Sequence, residues 1–424
     1  DPQSVLTGFW KQEDGSILTP SSNVPAPNID DNTVPVLVSV PNEGDTAGGQ
    51  TVPNTQGVVI FQHGITSNRG AMLALAATLA KAGYTTVAID LPLHGIVFQD
   101  GDDPCAADPT STACALFQLR QEPIERNLGV DLVDNETGSA GADGLTDPSG
   151  EHFINLASLR TVRDNLRQGV VDLFALTNAI ESAAAGGVNL NGKGNADFSA
   201  SNIKFVGHSL GAIVGGVFLA NEPNVGDAVL AMTGGGIAKL VDGSPSIGPE
   251  IEAGLAANGL VKGLAGYEQF LGAAQTVIDS ADPLNYADVT SQGGTNARGT
   301  TIPDRNVLAF EVVGSDTSAP DQVVPNVVSP SYPGTAPSTI PSPTAGSRPL
   351  AGPAGMNLGQ VATNQAAGDH VLRFVAGDHG SLLQAPAGDA TKQAVLKEMQ
   401  SVTANFIGGG GVVSIDNTNL LDPP

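Results

Sequence analysis

The sequence predicts an open, mostly parallel α/β sheet with helices on both faces, and three observations lead there. Largely apolar runs at 58–62 (VVIFQ), 85–89, 203–206, 229–233, 306–313 (NVLAFEVV) and 370–375 read as strands, and the one at 58–62 has the composition of a strand buried on both faces. Stretches with apolar residues at helical spacing alternate with them, the pattern of a parallel sheet. A strand also gives way abruptly to a helix across Gly207-His208-Ser209-Leu210-Gly211, a G-x-S-x-G.

Residues 1–35, rich in Pro, Ser and Asn, read as an extended segment, and 36–40 as a first strand. The run at 58–62 leads into His63-Gly64-Ile65-Thr66. A helix is predicted over 69–82, with Met72, Leu75, Ala76 and Leu79 on one face and Gly83 as its stop. The strand at 85–89 leaves through Asp90-Leu91-Pro92-Leu93-His94-Gly95. Strand, helix and strand joined so tightly make a right-handed parallel unit.

Regularity lapses at 96–150, an insertion of Asp, Pro, Gly and Thr, and returns with a long amphipathic helix over 154–180. Between 234 and 286, Leu, Ala, Val and Gly recur at helical spacing with few charges. These residues are expected to form small helices over the carboxyl end of the sheet, a lid bounded at about 234–300, or else ordinary core helices. Residues 317–353 are too proline-dense for helix or sheet and read as loop. A last helix is expected at 390–406, and 408–424 as a tail.

Against 43 Asp and Glu stand only 18 Lys and Arg, a formal net charge of -25, which argues against nucleic acid and anionic membrane surfaces as partners. Charged residues make up only 14% of the chain, so the acidity reflects scarce bases and reads as a solubility device for salty or extracellular conditions. No apolar run reaches the roughly 18 residues of a transmembrane helix. The chain opens at Asp1 without a signal-peptide pattern, the expectation for a processed product that is secreted, periplasmic or held at the cell surface. In such a protein Cys105 and Cys114 are expected to pair, worth about 2 to 3 kcal/mol for so short a loop. In a cytosolic protein they would be free thiols, and their spacing fits no common zinc pattern.

The spacing of the G-x-S-x-G has a chemical reason. A serine on a sharp strand-to-helix turn takes strained backbone angles and crowds the residues two before and two after it, where only hydrogen side chains fit. Ser209 as a nucleophile needs a base, a carboxylate to orient that base, and donors where charge develops on a carbonyl oxygen. In an open α/β sheet these come from the carboxyl ends of strands. His379, between the last strand and the last helix, meets that condition, whereas His370 begins its strand at the wrong end. His63 shapes the turn after its strand, and His94 hydrogen-bonds within its loop. His208 points sideways from the nucleophile, and His152 lies in the insertion. Two carboxylates follow the strand at 306–313. Asp321, whose Val-Val-Pro tail can anchor its loop, is preferred over Asp316. The backbone N–H groups of Leu210 and Ile65 are the candidate oxyanion donors.

These residues resemble the α/β hydrolases: a strand followed by His-Gly, the serine elbow, a late acid and a later histidine, in the order Ser, Asp, His. FQHGIT, DLPLHG, GHSLG, the DQVVP acid loop and GDHGSL look like bacterial extracellular lipases and lysophospholipases, and their polyester-degrading relatives. The likeness spans about 36–407, outside the insertions. It implies the α/β-hydrolase fold and carboxylic-ester hydrolysis through an acyl-enzyme, with Ser209 as nucleophile, His379 as base, Asp321 as acid, and Ile65 with Leu210 as the oxyanion hole. It implies no metal or organic cofactor, and a small-molecule, lipid or polymeric ester as partner, without stable membrane insertion. Two other readings are an amidase, peptidase or thioesterase with the same residues, and a non-catalytic secreted binding protein that keeps the fold.

Overall fold

The computed structural model describes residues 3–19, 24–26, 33–47, 50–98, 103–120, 125–193, 195–328 and 344–424. The middle of the proline-rich loop, and parts of the 1–35 segment and of the 96–150 insertion, lie outside the described residues.

The apolar runs form strands β1 (Val36–Ser39), β2 (Gly57–Gln62), β3 (Tyr84–Ile89), β4 (Ile203–His208), β5 (Val225–Ala231), β6 (Val307–Val312), β7 (Gly359–Gln360) and β8 (His370–Phe374). They make one sheet in the order β1-β3-β2-β4-β5-β6-β8-β7. Only β1 runs antiparallel to its neighbour. Val58 of β2 lies beside Thr85 of β3 on one side and Ile203 of β4 on the other. The two-residue β7 is too short to carry a periodic signal and was not expected.

Because side chains alternate across a strand, β2 feeds two cores. Val58 and Ile60 pack with helices α2 (Leu159–Ala185) and α3 (Leu210–Leu219) through Leu166, Leu173 and Phe218. Val59 and Phe61 pack on the opposite face with α1 (Leu73–Lys81) and α7 (Ala390–Gly408) through Leu75, Leu79, Met399 and Phe406.

Three boundaries differ from expectation for local reasons. The helix expected over 69–82 opens as a 3-10 turn, Arg69–Met72, where the Asn68 side chain caps the Gly70 N–H and the Asp90 carboxylate takes the Arg69 N–H. Helix α2 starts later than 154, where Ser158 and Thr161 share a hydroxyl hydrogen bond, and runs past 180 to Ala185, with Gly186 as its cap. Residues after 408 bury Val413, Ile415, Leu420 and Leu421, and Val413 exchanges backbone hydrogen bonds with Gln365.

The apolar stretch after β5 forms α4 (Ile237–Asp242), α5 (Gly248–Ala257) and α6 (Ala265–Ile278). Ile251, Leu255, Tyr267 and Leu271 give these helices a small core of their own. Tyr267 donates its hydroxyl hydrogen to Asp242 at 2.5 Å, tying α6 to the end of α4. Beyond them the helix Ala287–Gln292 belongs to the body of the protein, where Thr290 donates to the Gly216 carbonyl of α3. Cys105 and Cys114 are joined as a disulfide between two short helices of the insertion. Among the described residues no helix is long and apolar enough to cross a membrane.

Candidate active site

A parallel sheet brings the carboxyl ends of its strands to one edge, so residues far apart in sequence meet there. Ser209 follows β4 with φ 55° and ψ -123°, a conformation that costs a non-glycine residue on the order of 1 to 3 kcal/mol. The flanking glycines permit the bend. A Cβ on Gly207 would lie 2.7 Å from the Ala212 Cα, and one on Gly211 would overlap the Gln62 carbonyl oxygen. Ser209 is 4% exposed.

His379 follows β8, and its Nδ1–H donates to Asp321 Oδ2 at 2.8 Å. The other oxygen of Asp321 accepts the N–H groups of Val323 and Val324 at 2.7 and 3.0 Å. The Val-Val tail thus aims the carboxylate by folding back on it. Asp316 is exposed in the turn that Ser315 and Ser318 close, and the carboxylate on His379 Nδ1 is that of Asp321. With Nδ1 committed to Asp321, Nε2 is the ring nitrogen of His379 that the carboxylate does not engage.

Ile65 follows β2, and Leu210 opens α3. Neither N–H has an acceptor among the described residues, and for Leu210 this is the ordinary state of a helix's first residue. Gly64 lets the β2 loop approach the elbow, since a Cβ there would lie 2.9 Å from the Ser209 Cβ.

The remaining histidines are spoken for. His63 donates from Nδ1 to the Gly64 carbonyl at 2.8 Å and accepts the Leu91 N–H on Nε2 at 3.0 Å. His94 donates to the Pro92 carbonyl within its own loop at 2.8 Å. His208 donates from Nε2 to the His379 carbonyl at 2.7 Å. His152 pairs with Asp147, and His370 sits at the start of β8, bonded to the Ala366 carbonyl.

Burial drives the pKa of His63 and His208 down to about 4 and that of His94 to about 3, so all three are neutral in the folded chain at pH 5. Unfolding frees them to bind protons below their ordinary value near 6.5, which favours the unfolded state as pH falls from 6.5 toward 4. Denaturant titration at pH 7 and pH 5 is expected to show a loss on the order of 2 kcal/mol per histidine.

A buried ion cluster forms where the chain leaves the loop after β2. The Arg69 guanidinium binds Asp90 and, through two hydrogen bonds of 2.8 and 2.6 Å, Glu125 of the insertion. All three side chains are buried. Sequence reasoning missed this cluster, because only the folded path of the insertion brings Glu125 to Arg69.

Beside Ser209 opens a cavity of about 110 Å³. Helices α2 and α3 supply Leu159, Val162 and Ile213, α4 to α6 supply Ile237, Ile251 and Phe270, and the acid loop supplies Val323. Ile65 and Leu210 also line it, and among the described residues Ser209 is the one polar residue in its wall. Among the described residues no group of three or more His, Cys, Asp or Glu is placed to hold a metal ion.

No protein-family model and no curated protein sequence matches the chain. Solved structures resembling it include acetyl xylan esterase 1 of Thermoanaerobacterium sp., at 16% identity over 62% of this chain and 61% of that chain, with a TM-score of 0.34. Another is the acetyl xylan esterase of Paenibacillus sp., at 12% identity over 63% and 62% with a TM-score of 0.31. Est1E of Butyrivibrio proteoclasticus, solved with ferulic acid bound, aligns at 12% identity over 88% of this chain and 98% of that chain with a TM-score of 0.38. The chain spans about three fifths of the length of the two acetyl xylan esterases, 61% and 62%. The strand order, the single antiparallel β1 and a serine elbow between β4 and α3 together identify the architecture: the chain has the α/β-hydrolase fold.

Proposed function

We propose that the protein hydrolyses carboxylic esters that carry an apolar acyl or alkyl group. The observation that carries this reading is a strained serine opening into an apolar cavity, beside a loop whose histidine is hydrogen-bonded to a buried aspartate. Ser209 Oγ attacks the ester carbonyl while His379 Nε2 takes its proton. The imidazolium that forms is stabilised by Asp321, and the negative oxygen is held by the N–H groups of Ile65 and Leu210. His379 then returns the proton to the departing alcohol, leaving an acyl group on Ser209. Water, deprotonated by the same imidazole, releases the acid and restores the serine. Helices α4 to α6 act as a lid that sets chain-length preference. The substrates are small-molecule, lipid or polymeric esters, with lysophospholipids and polyesters in that class. The disulfide supports an oxidising, extracytoplasmic location.

Hydrolysis of p-nitrophenyl esters of rising acyl length, with a lysophospholipid, an amorphous polyester and a peptide amide alongside, tests this. The wild type is expected to favour medium over acetyl chains, and Leu271→Trp, which fills the cavity, to shift the optimum to shorter chains while leaving acetate turnover within about threefold. Ser209→Ala is expected to be inactive on all of them. Wild-type rates from Ser209→Ala would overturn the proposal, and amide turnover without ester turnover would move it to an amidase.

A further inference from the structure

The loop from Ala376 to Leu382 carries the base and must hold an imidazole in place through both halves of the reaction. Much of its support is local or comes from α7. The Asp378 N–H donates to Ser381 Oγ, the Gly380 N–H donates to the Asp378 carboxylate, and Lys392 pairs with Asp378. One bond instead reaches the nucleophile's own strand. His208, the residue before Ser209, donates its Nε2–H to the backbone carbonyl of His379 at 2.7 Å, with the two rings 5.1 Å apart.

From this geometry we infer that His208 is a positioning residue for catalysis, clamping the backbone of His379 to the serine elbow so that base and nucleophile keep one register. This rests on the Ser209 and His379 roles proposed above. A carbonyl can only accept, so the clamp fixes His208 with its proton on Nε2. The side chain is buried, and the groups that act on it electrostatically are His379, Asp321 and, from the β2 turn, His63. A neutral donor suits this place, because a second cation would oppose the imidazolium that forms on His379 during each proton transfer.

Glutamine places an amide N–H as many bonds from the backbone as Nε2 of histidine, whereas asparagine falls one bond short and leucine has no donor. His208→Gln is therefore expected to keep kcat within about threefold of wild type. His208→Leu and His208→Asn are expected to lose about 10- to 100-fold in kcat with KM little changed, the effect of a misplaced catalytic group. Wild-type kcat in a folded leucine variant, or in the asparagine variant should leucine not fold, would overturn the inference. Equal losses in the glutamine and leucine variants would do so too, because a donor would then not be what matters. Ser209→Ala and His379→Ala, measured alongside, separate the two levels: if they abolish hydrolysis while folded His208→Leu keeps wild-type kcat, only the clamp fails.

Discussion

Replacing Asp321 with asparagine is expected to lower kcat by about 10⁴-fold, while the same change at Asp316 leaves it within about threefold. The amide keeps the shape of the carboxylate and can still accept the Val323 and Val324 N–H groups, so the loop should fold unchanged. What it removes is the negative charge that meets His379 Nδ1 at 2.8 Å and stabilises the imidazolium. The amide can also turn its NH2 toward the ring and impose the wrong tautomer, with the lone pair on the nitrogen that faces away from the ester. Asp316, exposed on its turn, has no such contact with the ring to lose. The pair of variants therefore separates the two aspartates that follow β6 by a single rate measurement each. Equal rates for Asp321→Asn and wild type would remove Asp321 from the mechanism.

The second large effect is on stability. Arg69 lies between Asp90, at the end of β3, and Glu125, in the insertion, and all three are buried. Removing the one cation leaves two carboxylates, Asp90 and Glu125, buried without its charge between them, so Arg69→Ala is expected to cost about 3 to 5 kcal/mol in denaturant titration. Asp90 also accepts the Arg69 backbone N–H at 2.6 Å, which sets the 3-10 turn that follows the Ile65 loop. The loss should therefore be accompanied by weaker oxyanion support, read as a lower kcat at temperatures where the variant is still folded. A change below about 1 kcal/mol, the range of exposed pairs, would show that the cluster is open to solvent.

How much of this was legible beforehand depends on what each feature needs. Strands β2, β4, β5, β6 and β8 are readable because burial on both faces makes them mostly apolar, with polar residues few in each, and the elbow is readable because its glycines answer a steric demand of the chain itself. The choice of His379 over His370 follows from direction along one strand, and the structure sets the two residues at opposite ends of β8. The preference for Asp321 rested on the apolar residues behind it, and their N–H groups are what hold the carboxylate. Other features depend on chain far away in sequence. The Arg69 and Glu125 pairing requires an irregular insertion to fold back across the sheet. The His208 bond to the His379 carbonyl joins a side chain to a backbone atom, whose position no residue type announces. The burial of Val413, Ile415 and Leu421 after a run of glycines was hidden by that run, which reads as the end of the fold. Periodicity over 234–286 announces helices but not the cavity they enclose with α2 and α3, because that depends on which of their faces turn toward Ser209.

One measurement bears on the whole scheme more directly than any rate. A fluorophosphonate probe, followed by peptide mass spectrometry, is expected to attach once per chain, on Ser209, and His379→Ala is expected to slow that attachment by about 10³-fold or more, since the hydroxyl then lacks its base. Attachment at another residue, or the same labelling rate with and without the His379 imidazole, would contradict a serine activated by that ring.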